Sequence, residues 1–377
     1  MSVPVDTFDE GLRKLKLGRQ FNPDDPKAFG GLFSLVEPHA DVLRDRLAEA
    51  LGPSKFIPEI LTGVNDDSTF NAVAVRLCAT QYIIAVNYGT LILIHDLTHR
   101  LFCLPEFFPW VGDPSKEDLQ RQFHPTSANA QTYMRIFLSD PRPVVPREPQ
   151  RQRAAQSLIH FVVMFLVAHE FRHIMGGHLA WLGSRSDRKS IAERPQADSS
   201  EGLSLQALEM DADSFAMYYT LLQALGVAEG PQEGLSTSLR SLISTPRQAL
   251  EVALACAVVI IGTFFPPPGG PGGWRSGSHP QSGIRQGISQ LGADRALQQL
   301  GHEDLRSATI GNLAWVAHYA SFALRHLTQR LGNSDRQSEL LLQFGPRGQQ
   351  HLLEILKAWG EIRPAVASHA YMPVIAS

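Results

Sequence analysis

The chain has 377 residues, of which 44% are hydrophobic and 19% are charged, and its formal net charge is −3. These values support a large buried core in one or two domains, and the lack of a basic block or a basic-aromatic stripe argues against nucleic-acid binding. Three scattered cysteines, Cys78, Cys103 and Cys256, argue against a disulfide framework and against a cysteine-based metal site.

The N-terminal region, residues 1–69, is predicted to be helical. Its first segment, MSVPVDTFDEGLRKLK, carries charges where a signal peptide needs an apolar core, so a cytoplasmic location is expected. Asp41–Leu51 has apolar residues at helical spacing, and the Gly-Pro pair that follows is typical of a helix end.

Three stretches are strongly apolar: Tyr82–Ile94, Phe161–Ala168 and Val252–Phe265. Each is shorter than the roughly 20 residues that a helix needs to cross a bilayer. No lysine-rich amphipathic stretch indicates a membrane surface. We therefore interpret all three stretches as buried core, and membrane association is not expected.

Residues 70–103 combine a short strand with a helix. Tyr82–Val86 contains β-branched residues, which favour a strand, and Tyr88–Leu101 can continue as a helix. His95 and His99 lie four apart on that helix and are a rival metal pair, but no third ligand accompanies them in the sequence. A solvated or capped histidine pair is the preferred interpretation.

Two long segments are predicted to be loops. Residues 104–150 form a proline-rich insertion in which closely spaced prolines, ending at Pro149, exclude regular structure. Residues 183–202 are polar and contain almost no large apolar side chain, which is typical of an exposed loop. We hypothesise that both segments act as lids over a cleft.

A zinc-hydrolase signature lies in a strongly apolar part of the chain. His169, Glu170 and His173 form the pattern His-Glu-x-x-His, and a helix places residues four apart on one face, so both imidazoles can bind one metal ion. Gly176 and Gly177 are typical of the end of this helix. The competing interpretation is a pair of core histidines whose hydrogen bonds are satisfied by other protein groups, with a neighbouring ion pair to Arg172.

The third ligand is expected on the next helix, Leu203–Leu225. Glu209 and Asp213 lie four apart on one of its faces. A catalytic zinc site takes three protein ligands and keeps the fourth position for water, so Glu209 is the expected ligand. Asp213 is expected to accept the outer N–H of a ligating histidine. The competing interpretation is a solvated acidic face.

The order of these motifs resembles that of the gluzincin metallopeptidases, in particular the family of the HtpX heat-shock proteases and the CAAX prenyl proteases, and the phage-exclusion Lit peptidases. The pattern Glu-x-x-Ala-Asp spans Glu209–Asp213, and His178 extends the first motif as in that family. Ser-His-Pro at residues 278–280, with Arg285 beyond it, resembles the family's Thr-His-Pro…Arg motif. The resemblance covers about residues 70–290.

The resemblance implies roles for further residues. His279, or Arg285 holding its loop, would stabilise the oxyanion of the reaction. Asn-Ala-Val-Ala at residues 71–74 and the strand after it are similar to the family's Asn-Ala-x-Ala motif and active-site edge strand. An extended polypeptide substrate would pair with this edge. The edge-strand residues are Tyr82, Ile83, Ile84, Ala85 and Val86.

The chain also departs from the family. Arg172 stands where a small residue is common, the insertion at residues 104–150 is long, and the transmembrane segments of the membrane-bound members are not evident. A metzincin pattern fits less well, because its third histidine would fall on Leu179.

We therefore predict a mainly α (α+β) protein with a zincin-like metallopeptidase core over residues 70–290, a small sheet and an edge strand, followed by a helical C-terminal region, 291–377. The expected function is that of a zinc endopeptidase with one Zn²⁺ per chain and Glu170 as general base. The alternatives are a zinc-binding regulatory or interaction module without proteolysis, and a zinc hydrolase of non-peptide amides. The C-terminal region is interpreted as a helical cap, a regulatory element or an oligomer surface.

Overall fold

The structure is a computed structural model, and it confirms a mainly helical protein with a small mixed sheet. The residues that it describes are 4–22, 28–52, 56–117, 144–185, 199–231, 236–264, 280, 282–306 and 345–372.

Helices account for most of the described residues. The α-helices are α1 (Phe8–Leu15), α2 (Val36–Leu51), α3 (Tyr88–Phe102), α4 (Pro149–Met175), α5 (His178–Arg185), α6 (Ser199–Glu229), α7 (Thr237–Leu242), α8 (Pro246–Phe264), α9 (Ser282–Leu300) and α10 (Pro346–Ala367). The strands are β1 (Glu59–Asn65), β2 (Ala72–Arg76) and β3 (Gln81–Asn87), and short 3₁₀ helices cover Ala28–Ser34 and Pro114–Lys116.

The sheet has the order β1-β3-β2, with β1 parallel and β2 antiparallel to β3. Ile84 of β3 is opposite Thr62 on one side and Ala74 on the other. The prediction that Tyr82–Val86 is an edge strand was therefore wrong, although it is a strand. All residues of β3 are buried, as expected of a strand that is paired on both sides and covered on both faces.

Helix α4 is the central element of the core. Every residue of α4 from Phe161 to Met175 is buried, and the helix packs against α2, α3, α6, α7 and α8. By length and composition α4 could cross a membrane, but 83% of its most apolar window is covered by the rest of the protein. The interpretation of Phe161–Ala168 as core is confirmed, and Val252–Ile261 in α8 is buried in the same way apart from half-buried Val258.

The start of α4 is held by a buried arginine. Pro149 is the first residue of the helix, a position that needs no backbone N–H, so the prediction that this proline excludes regular structure was wrong. The guanidinium of Arg151 is buried and donates to five backbone carbonyls in the turn after α3. These carbonyls belong to Phe102, Leu104, Phe107, Phe108 and Val111.

The histidine pair of α3 is part of the core. The prediction was a solvated or capped pair, and the solvated alternative is wrong because His95 and His99 are both buried. His99 Nδ1 donates to the carbonyl of His95 at 2.8 Å, and the side-chain amide of Gln156 donates to His99 Nε2 at 3.2 Å. Among the described residues no third metal-binding side chain joins this pair.

The predicted region boundaries fall within structural units. The N-terminal region is not purely helical, because β1 lies in it and pairs with β3. Helix α9 runs through the boundary at residues 290 and 291 and packs against α6. Residues 118–143 of the proline-rich insertion, residues 186–198 of the polar loop and residues 307–344 lie outside the described ranges.

Candidate metal centre

The two motif histidines face each other on α4. His169 Nε2 and His173 Nε2 are 3.1 Å apart, because one helical turn separates the two residues. Both rings are buried. The prediction that the motif lies on a buried helix is confirmed, and so is the helix end, since Gly176 is the C-cap residue and Gly177 has a positive φ of 81°.

Helix α6 supplies a carboxylate to the same point. Glu209 Oε1 lies 3.3 Å from His173 Nε2, and Glu209 Oε2 lies 3.3 Å from His169 Nε2. The three ligand atoms of His169, His173 and Glu209 lie within 4.8 Å of one another, so this buried group could hold a metal ion. The interpretation of α6 as a solvated acidic face is wrong, because Glu209, Asp211 and Asp213 are all buried.

The outer side of His169 is held by a carboxylate and an arginine. His169 Nδ1 lies 2.9 Å from Asp213 Oδ1. The guanidinium of Arg285, on α9, donates to both oxygens of Asp213 at 2.7 Å, and it also lies 3.6 Å from Glu209 Oε2. Arg285 therefore contacts the candidate ligand Glu209 and also Asp213, the partner of the candidate ligand His169.

A longer chain of contacts holds His173. His173 Nδ1 lies 2.9 Å from His178 Nδ1, and His178 Nε2 lies 3.0 Å from Asp211 Oδ2. Arg172 binds the same carboxylate through two bonds, one of them 3.1 Å long, and its guanidinium lies 5.4 Å from the ring centroid of Phe215. Arg172, which the resemblance leaves unexplained, is thus the buried counterion of Asp211.

The hydrogen-bond partners assign the tautomers. A carboxylate only accepts, so the Nε2–H of His178 donates to Asp211. His169 Nδ1 is in ion-pair contact with Asp213 Oδ1 at 2.9 Å, so the proton of the neutral ring is assigned to this nitrogen. His178 Nδ1 is then an acceptor, and the Nδ1–H of His173 donates to it. Both Nε2 lone pairs are therefore directed to the side of Glu209, as two metal-ligating imidazoles require.

The tautomer assigned to His169 is that of its neutral ring, the form that would bind a metal ion, whereas in the metal-free protein this ring carries a proton on both nitrogens. Burial lowers the pKa of His178 to about 4, so its ring is neutral. Burial also acts to lower the pKa of His169, but its bonds to Asp213 and Glu209 outweigh burial and raise the pKa to about 10 in the metal-free protein. A proton is thus held where the two imidazoles and the carboxylate meet, and a metal ion binding there would displace it.

Glu170 stands beside this group as a separate carboxyl. It is buried, and burial raises its pKa above the ordinary value. The backbone N–H of Ala74, on β2, donates to its carboxylate. Strand β2 therefore lies beside Glu170 and the candidate metal ligands.

The other predicted site residues have different outcomes. His279 lies outside the described residues, whereas Arg285 is at the centre but binds Asp213. Sequence reasoning missed the pairing of Arg172 with Asp211, and the signal that could have found it is an arginine in the apolar C-terminal half of α4, since a buried charge needs a counterion.

The comparisons with known proteins do not extend this description. No protein-family model matches the chain, and neither the curated proteins nor the solved structures contain a match to it.

Proposed function

We propose that the protein is a zinc-dependent endopeptidase in which His169, His173 and Glu209 hold the metal and Glu170 is the general base. The observation that carries the proposal is the buried group of two imidazole nitrogens and a carboxylate, with a second buried carboxyl one residue from the first histidine. Two histidines and one glutamate are a donor set that catalytic zinc takes in hydrolases.

The donor count favours catalysis over a structural role. Structural zinc sites are closed by four protein ligands, whereas catalytic sites use three and keep one position for water. Three ligating side chains meet here in the described part of the chain. A buried glutamate beside them has no purpose in a structural site.

Glu170 has the properties of a proton carrier. When bound, zinc supplies a Lewis acid that polarises the scissile carbonyl and acidifies a water molecule. Glu170 takes the proton from the attacking water and returns it to the leaving amine. Its raised pKa lies closer to neutral pH than that of an ordinary glutamate. A group that must both accept and donate a proton is most effective when its pKa is near the working pH.

The substrate is proposed to bind along β2. Leu77 and Asn71 make the backbone bonds to β3, so the alternate residues Ala72, Ala74 and Arg76 direct their backbone groups away from β3. Ala74 is the residue whose N–H reaches Glu170. An extended polypeptide on this side of β2 would place a backbone carbonyl beside the proposed base, and strand addition would provide affinity that depends little on sequence.

The proposal is tested by metal content and cleavage. The native chain, isolated from a cytosolic expression host, is expected to hold about one zinc and to cleave casein. Glu170→Gln should keep the zinc and lose activity, whereas the matched control Glu361→Gln, at an exposed position of α10, should keep both. Absence of zinc from the native chain would overturn the proposal. Equal cleavage by Glu170→Gln and the native chain would show that Glu170 is not the general base.

The same experiment separates the alternatives. Zinc without cleavage of casein or of a whole proteome would favour a regulatory module. Zinc with hydrolysis of small acyl amides, abolished by Glu170→Gln, would identify a hydrolase of non-peptide amides. In either case the assignment of the metal ligands would be retained, and only the proposed substrate would be revised.

A further inference from the structure

A cavity of about 590 Å³ lies beside α4, bounded also by α2, α6 and α7. This volume is within the range of roughly 300–1,000 Å³ that is typical of small-molecule sites. Helix α4 contributes residues three and four apart, which share one helical face. These residues are Arg153, Gln156, Ser157, His160, Phe161 and Met164.

The cavity is separate from the metal centre. Met164 precedes His169 by five residues, and the face that lines the cavity is turned by about 180° from the face that carries His169 and His173, at about 100° per residue. None of the cavity-lining residues is a metal-centre residue. The two sites therefore occupy opposite sides of one helix.

The cavity has an apolar wall. Phe161 and Met164 on α4 face Leu239 on α7, and Val227 on α6 adds to the same surface. At the rim, Val42 on α2 is 46% exposed, which is unusual for a valine in a helix that packs on the core. An apolar ligand body would remove this surface from water at about 25 cal/mol per Å².

Arg153 is the one permanently charged side chain among the residues that line the cavity. No carboxylate is among the residues that line it. Arg153 is exposed on α4 and forms no ion pair with the described residues. His39 Nε2 is buried and lacks a hydrogen-bond partner in the described part of the chain, and the His39 ring centroid lies 6.1 Å from that of His160.

We propose that this cavity binds a fatty carboxylate, with its alkyl chain against Phe161, Met164 and Leu239 and its carboxylate at Arg153 and His39. A guanidinium without a carboxylate partner attracts an anionic head group. The Nε2 atom of His39 gains the hydrogen bond that it lacks, because a neutral imidazole can donate from this nitrogen. The proposal is independent of the proposed function, since it uses no metal ligand and no catalytic group.

The test is calorimetric titration of the full chain with dodecanoate below its micelle concentration. Saturable binding of about one dodecanoate per chain is expected, with dodecanol and dodecyltrimethylammonium each binding at least tenfold more weakly because they lack the carboxylate. Arg153→Gln should weaken dodecanoate binding about tenfold, the effect of losing a charge-assisted hydrogen bond. The control Arg13→Gln, at an exposed position of α1, should bind like the native chain.

Location is tested by a second variant. Val42→Trp narrows the mouth of the cavity at an exposed position, so it should reduce dodecanoate binding while the unfolding midpoint stays unchanged. Binding that appears only above the micelle concentration, tighter binding of the alkylammonium probe, or unchanged binding in both Arg153→Gln and Val42→Trp would overturn the proposal. Because zinc content and cleavage are measured separately, failure here is distinguishable from failure of the proposed function.

Discussion

The pair formed by Arg172 and Asp211 is expected to be the most costly ion pair to break at the metal centre. Both side chains are buried, with exposed fractions of 0% and 6%, and two hydrogen bonds join them. Asp211→Asn leaves the guanidinium buried without a counterion, which costs about 3–5 kcal/mol of the free energy of unfolding. Arg172→Met leaves the carboxylate with His178 as its remaining partner and should cost a similar amount.

The double variant separates the pair from its surroundings. With Arg172→Met and Asp211→Asn together no uncompensated charge is buried, and the asparagine oxygen can still accept from His178. The loss of unfolding free energy in the double variant should therefore be smaller than the sum of the two single losses by at least about 2 kcal/mol. A loss in the double variant that equals the sum of the two single losses to within about 0.5 kcal/mol would refute this reasoning.

The assay is urea unfolding of the four proteins with chelator and then with zinc. The stabilisation by zinc depends on its affinity, so the difference between the two curves reports the metal site alone. Asp211→Asn weakens the hydrogen bond that orients His178, and His178 in turn orients His173. This variant should therefore lower zinc affinity by about 10–100-fold. Unchanged zinc stabilisation in Asp211→Asn would show that this chain of contacts supports the fold and not the ligand.

Three further outcomes are expected. Asp213→Asn should lower zinc affinity about 10–100-fold in chelator competition, and native affinity would contradict the role of Asp213 at His169. Arg151→Met removes five hydrogen bonds to backbone carbonyls and should lower the free energy of unfolding by about 4 kcal/mol or more in urea, with Arg151→Lys recovering only part of it. Burial, and then the neighbouring His99, lower the pKa of His95 to about 3, so the unfolded chain takes up a proton first as pH falls. The contribution of this group to stability is present above pH 6.5 and should be smaller by about 2 kcal/mol at pH 5, so the loss of stability between pH 7 and pH 5 should be about 2 kcal/mol smaller in His95→Gln than in the native chain.

The pairings among the charged groups could not be predicted from sequence. Arg285 was expected to act on the oxyanion, but α9 brings it to Asp213, 72 positions earlier in the chain. Arg172 was the least explained residue of the motif, and its partner Asp211 is 39 positions away. Local spacing predicts which side chains share a helical face, but it contains no information on which distant helix packs against that face.

The strand order was also decided outside the local pattern. Short β-branched runs predict strands, and Tyr82–Val86 is a strand as predicted. The order of pairing, however, depends on where the chain places β1 and β2 beside β3. The full burial of β3 is the physical sign of its central place. The resemblance placed the substrate edge on β3, whereas the residues of its Asn-Ala-x-Ala motif lie at the start of β2.

What the sequence determined by itself was the set of candidate metal ligands and their neighbour Asp213, because helical periodicity places His169 and His173 on one face and Glu209 and Asp213 on another. Helix α4 was equally evident from its apolar run. Only the tertiary structure decided that these two faces meet, that Arg172 and Arg285 are buried counterions, and that a second cavity lies behind the metal helix. The reason is that buried charges and cavities depend on contacts between segments far apart in the chain. The energy of those contacts depends on how the segments pack together, which a short stretch of sequence does not determine.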